Sequence, residues 1–189
     1  GAQSLRDAGL ANPVFALKNG TMGWQIAGLT VMKGESNIVP EPNGDGLRSA
    51  QFLAGGVAAV DRIATVDMST LRTWLADETR TTYLFDVRQA DAFARGHVAG
   101  SVNAPGGQLV QNTDTFAAVR HARIVLVDEH RVQAVMTAHW LSLMGWDVAV
   151  LDDAAAHMTA TGAATTGSLV ATNPAVTTIS AVALRELIS

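Results

Sequence analysis

Cysteine is absent from all 189 residues. That excludes disulfide bonds, thiolate metal ligands and every mechanism that runs through a thiol of this chain. Aromatic residues are scarce at 5%, with a single tyrosine, so a core must be built mainly from aliphatic side chains. Charged residues amount to 16% and leave a formal net charge of −4. Such a balance provides no basic footprint, and neither a nucleic-acid nor a membrane partner is expected. No apolar run reaches the roughly 18 residues that span a bilayer. Residues 1–20 lack the charged start, apolar centre and small-residue cleavage site of a secretory signal. With the missing thiols, this favours a cytoplasmic location.

What is present is apolar material in short, ordered pieces. The chain is 48% hydrophobic, with a mean hydropathy of +0.20, too apolar for disorder. Its length suits one domain plus additional segments. Tyr83–Val87, Ile124–Val127 and Val148–Leu151 are short, branched and apolar throughout, the pattern of strands covered on both faces. Helical spacing lies between them. Ser69–Asp77 puts Leu71, Trp74 and Leu75 on one face, Gln89–Arg95 stops at Gly96, and Arg131–Met144 stops at Gly145. Strands alternating with helices predict an α/β fold with a central parallel sheet and helices on both faces. Trp24, Trp74, Trp140 and Trp146 are expected in the core or at domain contacts.

Residues 33–62 carry two of the five prolines, Pro40 and Pro42, and show no periodicity. They read as a linker, with Leu47–Ala64 a helix candidate weakened by Gly55 and Gly56. The two ends echo the middle. Thr65–Leu75 aligns without gaps to Thr178–Ile188 at an offset of 113, matching Leu71 to Leu184 and Arg72 to Arg185. Asp67 and Ser180 both fall where a helix N-cap belongs. Val14–Gly28 aligns to Val148–Gly162 at an offset of 134. An offset near 113 is the size of a small domain. The expected organisation is therefore a tail of one repeat at 1–32, a linker at 33–62, a whole repeat at 63–164, and a linker with the head of another repeat at 165–189. The other repeats of the same polypeptide, or a second copy of the chain, are the expected partners. Val14–Leu17 is expected to be a strand packed on one of them.

The stretch Asp86-Val87-Arg88, followed by Gly96-His97-Val98-Ala99-Gly100-Ser101-Val102-Asn103-Ala104-Pro105, resembles the rhodanese family of sulfurtransferases, and Gly20–Gly28 resembles the ending of such a domain. The resemblance implies a bacterial multi-rhodanese protein. It also implies a six-residue loop between a strand and a helix N-terminus, opened in active members by a cysteine that carries a persulfide. Counted onto this sequence, the loop is Asp128-Glu129-His130-Arg131-Val132-Gln133. Asp128 takes the cysteine position, Arg131 the place often held by glycine and Gln133 the place often held by arginine. The length is kept and the nucleophile is not. A carboxylate cannot hold sulfane sulfur, so this chain is expected to be a non-catalytic module without a cofactor. The alternative is a part of an active thiosulfate sulfurtransferase whose cysteine lies in another repeat. Asp128 is also expected to satisfy the loop's N–H donors permanently, as a built-in occupant.

Other readings of these residues are weaker. An aspartyl-phosphate nucleophile wants Mg²⁺ and a nearby lysine, but the lysines are Lys18 and Lys33. His130 with His97 or His139 has no metal-ligand spacing. Asp86 and Arg88 are expected to hold adjacent loops by hydrogen bonds, His97 to brace a tight turn between Gly96 and Gly100, and Gly106-Gly107 to form a plain turn rather than a phosphate cradle.

Overall fold

Four consecutive apolar residues, Ile124 to Val127, suit only a strand with both faces covered. In the computed structural model, which describes residues 2–7, 9–34, 42–163 and 179–188, they lie in the middle strand of a five-stranded sheet. The strands are β1 (Ala64–Val66), β2 (Thr82–Asp86), β3 (Val102–Asn103), β4 (Arg123–Val127) and β5 (Asp147–Leu151), ordered β1-β5-β4-β2-β3 and all parallel. The three strands expected from composition are β2, β4 and β5. The edge strands β1 and β3 were not, being three and two residues long.

The helices are α1 (Ala2–Asp7), α2 (Gly20–Ile26), α3 (Gly44–Asp61), α4 (Met68–Ala76), α5 (Ala90–Arg95), α6 (Gly106–Gln111), α7 (Thr113–Phe116), α8 (Val132–Leu143) and α9 (Ala181–Ile188), with a 3₁₀ turn at Ala154–His157. The chain divides into two units, Gly1–Glu41 and Pro42–Ser189.

Because side chains alternate along a strand, the sheet has two apolar faces. Phe85, Ile124, Leu126, Val148 and Val150 pack on one side with Ala134, Ala138 and Leu141 of α8, Leu109 of α6 and Ala54 of α3. Leu84, Val125, Val127, Ala149 and Leu151 pack on the other with Leu71 of α4 and Val98. This is the three-layer α/β arrangement read from the sequence. At Gly106 a Cβ would come within 2.2 Å of the Thr137 hydroxyl oxygen; only glycine lets α6 approach α8 this closely.

Several expectations are corrected. The stretch read as a linker contains α3, an 18-residue helix packed on α8. Asn43 caps it by accepting from the Gly46 N–H at 2.8 Å, and Val57 and Ala58 join Ala54 against the core. Burial of that stripe offsets the roughly 1 kcal/mol that each internal glycine costs a helix. Gly106-Gly107 opens helix α6 rather than a turn. Val14–Leu17 forms no strand: nothing among the described residues supplies a ladder, and Phe15 is 85% exposed. Trp24 and Trp140 are not core residues but lie substantially exposed, while Trp74 and Trp146 pack partly buried against the two apolar clusters. Residues 35–41 and 164–178, where the remaining linker assignments fall, are outside the described residues.

Candidate functional site

β4 runs out at Val127, and the chain turns through Asp128–Arg131 before α8 begins at Val132. The turn closes on a left-handed residue, Arg131, with φ of 60°. That conformation costs an L-residue roughly 1–2 kcal/mol and explains why glycine suits this place. Here the arginine is held from outside: one guanidinium nitrogen meets Asp152 at 2.7 Å and another donates to the Thr65 hydroxyl at 2.9 Å.

Asp128 is 97% buried beneath the turn, its exposure being 3%. Its Oδ2 accepts from the backbone N–H of Gln133 at 2.6 Å and of Ala134 at 3.3 Å. These are first-turn donors of α8, which have no carbonyl partner within the helix and sit at its positive end. Its Oδ1 is buried with no hydrogen-bond partner among the described residues. Burial pushes the Asp128 carboxyl above its ordinary pKa; the N–H groups of Gln133, Ala134 and Arg131 and the charge of His130 pull it back without cancelling the rise. The occupancy expected from the sequence is thus met at one oxygen and not at the other.

Beside it, β2 ends in Asp86, and Arg88 folds back onto it. The Arg88 guanidinium spans both carboxylate oxygens at 3.0 and 2.7 Å, and the Arg88 N–H adds a third bond at 3.1 Å. Burial works against the Arg88 charge, but the hydrogen bonds and charge of Asp86, then the charges of Glu129 and Asp128, raise its pKa. Arg88 also donates to the Gly96 carbonyl and, at 3.3 Å, to Glu129. Asn103 donates to the carbonyls of Arg88 and Asp86 at 2.8 and 3.3 Å. Glu129 in turn meets His130 at 3.3 Å on the exposed rim. So Asp86, Arg88, Gly96 and Asn103 form one brace under the loop, and Glu129 joins the loop to it.

The remaining expected residues are spread out. His97 stacks on Phe93, donates through its Nδ1–H to the Phe93 carbonyl at 3.0 Å, and pairs through its backbone with Ala160. Gly100 makes a turn at φ of 82°, and the Pro105 carbonyl caps α6. Val132 packs partly buried on the core, while the Gln133 side chain is exposed. His139 pairs with Asp61 of α3, far from a shared metal with His97 or His130, and among the described residues no three His, Asp or Glu side chains converge on a cation position. Sequence reasoning missed Gln51, whose amide reaches the His130 carbonyl at 3.4 Å, and the two partners of Arg131. Only the recognition of α3 as part of the domain could have suggested the first.

The expected six-residue loop is shorter in the structure, a four-residue turn at Asp128–Arg131, because Val132 and Gln133 already belong to the first turn of α8. A central parallel sheet with helices on both faces, whose middle strand feeds this turn and a helix N-terminus, defines a three-layer α/β domain, here with a buried carboxyl group at that N-terminus. The chain belongs to the rhodanese-like family: the model of the rhodanese-like domain matches residues 68–156. It is similar to the thiosulfate sulfurtransferase of Pseudomonas aeruginosa at 41% identity, with a TM-score of 0.77, over 98% of this chain and 35% of that one. The chain therefore spans about a third of that protein's length. Weaker likenesses include the rhodanese-like domain of an Anabaena protein (20% identity, TM-score 0.39, 50% of this chain and 71% of that). A rhodanese-related protein from Thermoplasma volcanium is similar at 16% identity and a TM-score of 0.37, over 47% and 82% of the two chains. No curated protein matches the sequence. No helix among the described residues is long and apolar enough to cross a membrane.

Proposed function

We propose that this chain is a non-catalytic rhodanese-like module, structural, binding or regulatory, of a larger rhodanese-related sulfurtransferase. The observation that carries this reading is Asp128 Oδ2 on the N–H groups of Gln133 and Ala134, at the head of the turn that joins β4 to α8. Sulfur transfer needs a thiolate that attacks sulfane sulfur and releases it again. The carboxylate in that position does neither, and no cysteine in the chain replaces it.

The repeat organisation belongs to the same proposal: 1–32 as the tail of one repeat, 63–164 as a whole one, and 165–189 as a linker and the head of another. Its support is local geometry as well as sequence. Asp67 caps α4 by accepting from the Thr70 N–H at 2.7 Å, and Ser180 caps α9 by accepting from the Ala183 N–H at 3.1 Å. Leu71 of α4 is 1% exposed, whereas its counterpart Leu184 in α9 is 47% exposed, as suits a helix made to cover a sheet. On this reading the partners are sister repeats of one polypeptide, in the cytoplasm. A second reading makes the chain part of an active thiosulfate sulfurtransferase whose persulfide cysteine lies in another repeat. The name and greater length of the Pseudomonas aeruginosa relative favour it.

The test is thiosulfate-to-cyanide transfer by these 189 residues. Background rates are expected at every protein concentration; turnover that scales with concentration overturns the reading.

A further inference from the structure

At the other end of β4, a cleft of about 500 Å³ opens between the approaches to β2 and β4, lined by Thr79, Arg80, Thr81, Arg120, His121 and Arg123 among others. Arg123 and Asp128 are five positions apart along the strand, roughly 16 Å at the rise of a β-strand. Three of the chain's 13 lysine and arginine residues meet here, in a protein whose net charge is −4.

Two of the guanidinium groups are already fixed in direction. Arg80 meets Asp147 at 2.7 Å and donates through Nε to the His121 carbonyl at 2.9 Å. Arg123 meets Asp77 at 3.1 Å and lies over the Trp74 ring at 5.1 Å. Neither carboxylate lines the cleft. Each tethers one edge of its arginine and leaves further N–H donors unused. Arg120 has no hydrogen bond or ion pair among the described residues, and the His121 ring and the Thr81 hydroxyl have none either. Three guanidinium groups against two carboxylates leave one full positive charge, with an imidazole beside it.

We propose that this cleft binds a tetrahedral oxyanion, phosphate or sulfate in type, either free or as part of a small molecule. A guanidinium fork matches two oxygens of such a group, and donors held by neighbouring ion pairs lose little freedom on binding. The volume exceeds that of a bare ion and leaves room for an organic remainder. Arg120 is the residue free to close on the ligand. The proposal does not depend on how Asp128 is read, because it uses the opposite end of the strands.

The experiment is a backbone-amide NMR titration of the full chain with inorganic phosphate, and separately with a sugar phosphate, each against sodium chloride of equal ionic strength. Saturable shifts confined to residues 79–81 and 119–123 are expected for at least one of the two. Saturation by the sugar phosphate at lower concentration than by inorganic phosphate identifies an organic phosphate as the source; equal saturation identifies the free ion. Arg120→Ala should weaken binding by about tenfold, while Arg95→Ala, on the exposed face of α5, should not change it. Shifts no larger than those from chloride, or binding unaltered in Arg120→Ala, overturn the proposal.

Discussion

Asp86 and Asp128 close neighbouring strands, and both are buried, at 0% and 3% exposure. Yet they are treated differently. Asp86 has three bonds from Arg88 distributed over its two oxygens. Asp128 has two bonds, both on Oδ2, and a bare buried Oδ1. A buried carboxylate with a matched counterion fastens the structure. One with half its acceptors idle occupies its place at a cost in stability. Arg88 is committed to Asp86 and acts with Asp128 only through its charge.

The largest expected effect lies on the satisfied side. Arg88→Ala should destabilise the domain by about 3–5 kcal/mol, because it strands the Asp86 charge in the interior; urea unfolding measures it. A loss below about 1 kcal/mol would mean that the brace is not structural.

The second change should stabilise. Since burial raises the pKa of Asp128 in the fold, the folded protein keeps that proton to a higher pH than the unfolded chain does. The neutral form's contribution is complete below the unfolded value of about 3.9 and is lost as pH rises through the folded value. Asp128→Asn, neutral throughout, should therefore exceed the parent by about 1 kcal/mol at neutral pH. That advantage should vanish in acid, near the unfolded value. Unfolding curves at both pH values decide it, and an advantage that grows in acid would reverse the assignment.

The smallest effect concerns Arg131. Arg131→Gly removes the left-handed strain together with the bonds to Asp152 and Thr65; Arg131→Ala removes only the bonds. The glycine variant should be the more stable of the two by about 1 kcal/mol. Equal melting temperatures would show that the turn is not held at a positive φ.

How much of this was legible beforehand depended on the length of each signal. β2, β4, β5 and α8 were visible because continuous apolar runs and a full helical period leave no other reading. β1 and β3 were too short to carry a period, and β3 falls inside the segment that was read for its motif. α3 was visible only as a candidate weakened by Gly55 and Gly56, because its stability comes from Ala54, Val57 and Ala58 meeting the core, a tertiary effect. Val14–Leu17 had strand composition but no ladder partner among the described residues, and a strand exists only as half of a pair. In the site, the position of Asp128 at the end of β4 could be counted, whereas the start of α8 at Val132 shortened the expected loop. The bare Oδ1 and the ties from Gln51, Thr65 and Asp152 could not, because those residues lie between 21 and 79 positions away in sequence from their contacts.

The central claim is that a cradle for a loaded sulfur atom is retained and filled by a carboxyl group. Asp128→Cys tests it most directly: the variant and the parent are incubated with thiosulfate, weighed by mass spectrometry, and then treated with cyanide. The parent should gain nothing, and the variant should gain one sulfur atom that cyanide removes. A sulfur atom on the parent, or none on the correctly folded variant, would contradict the account.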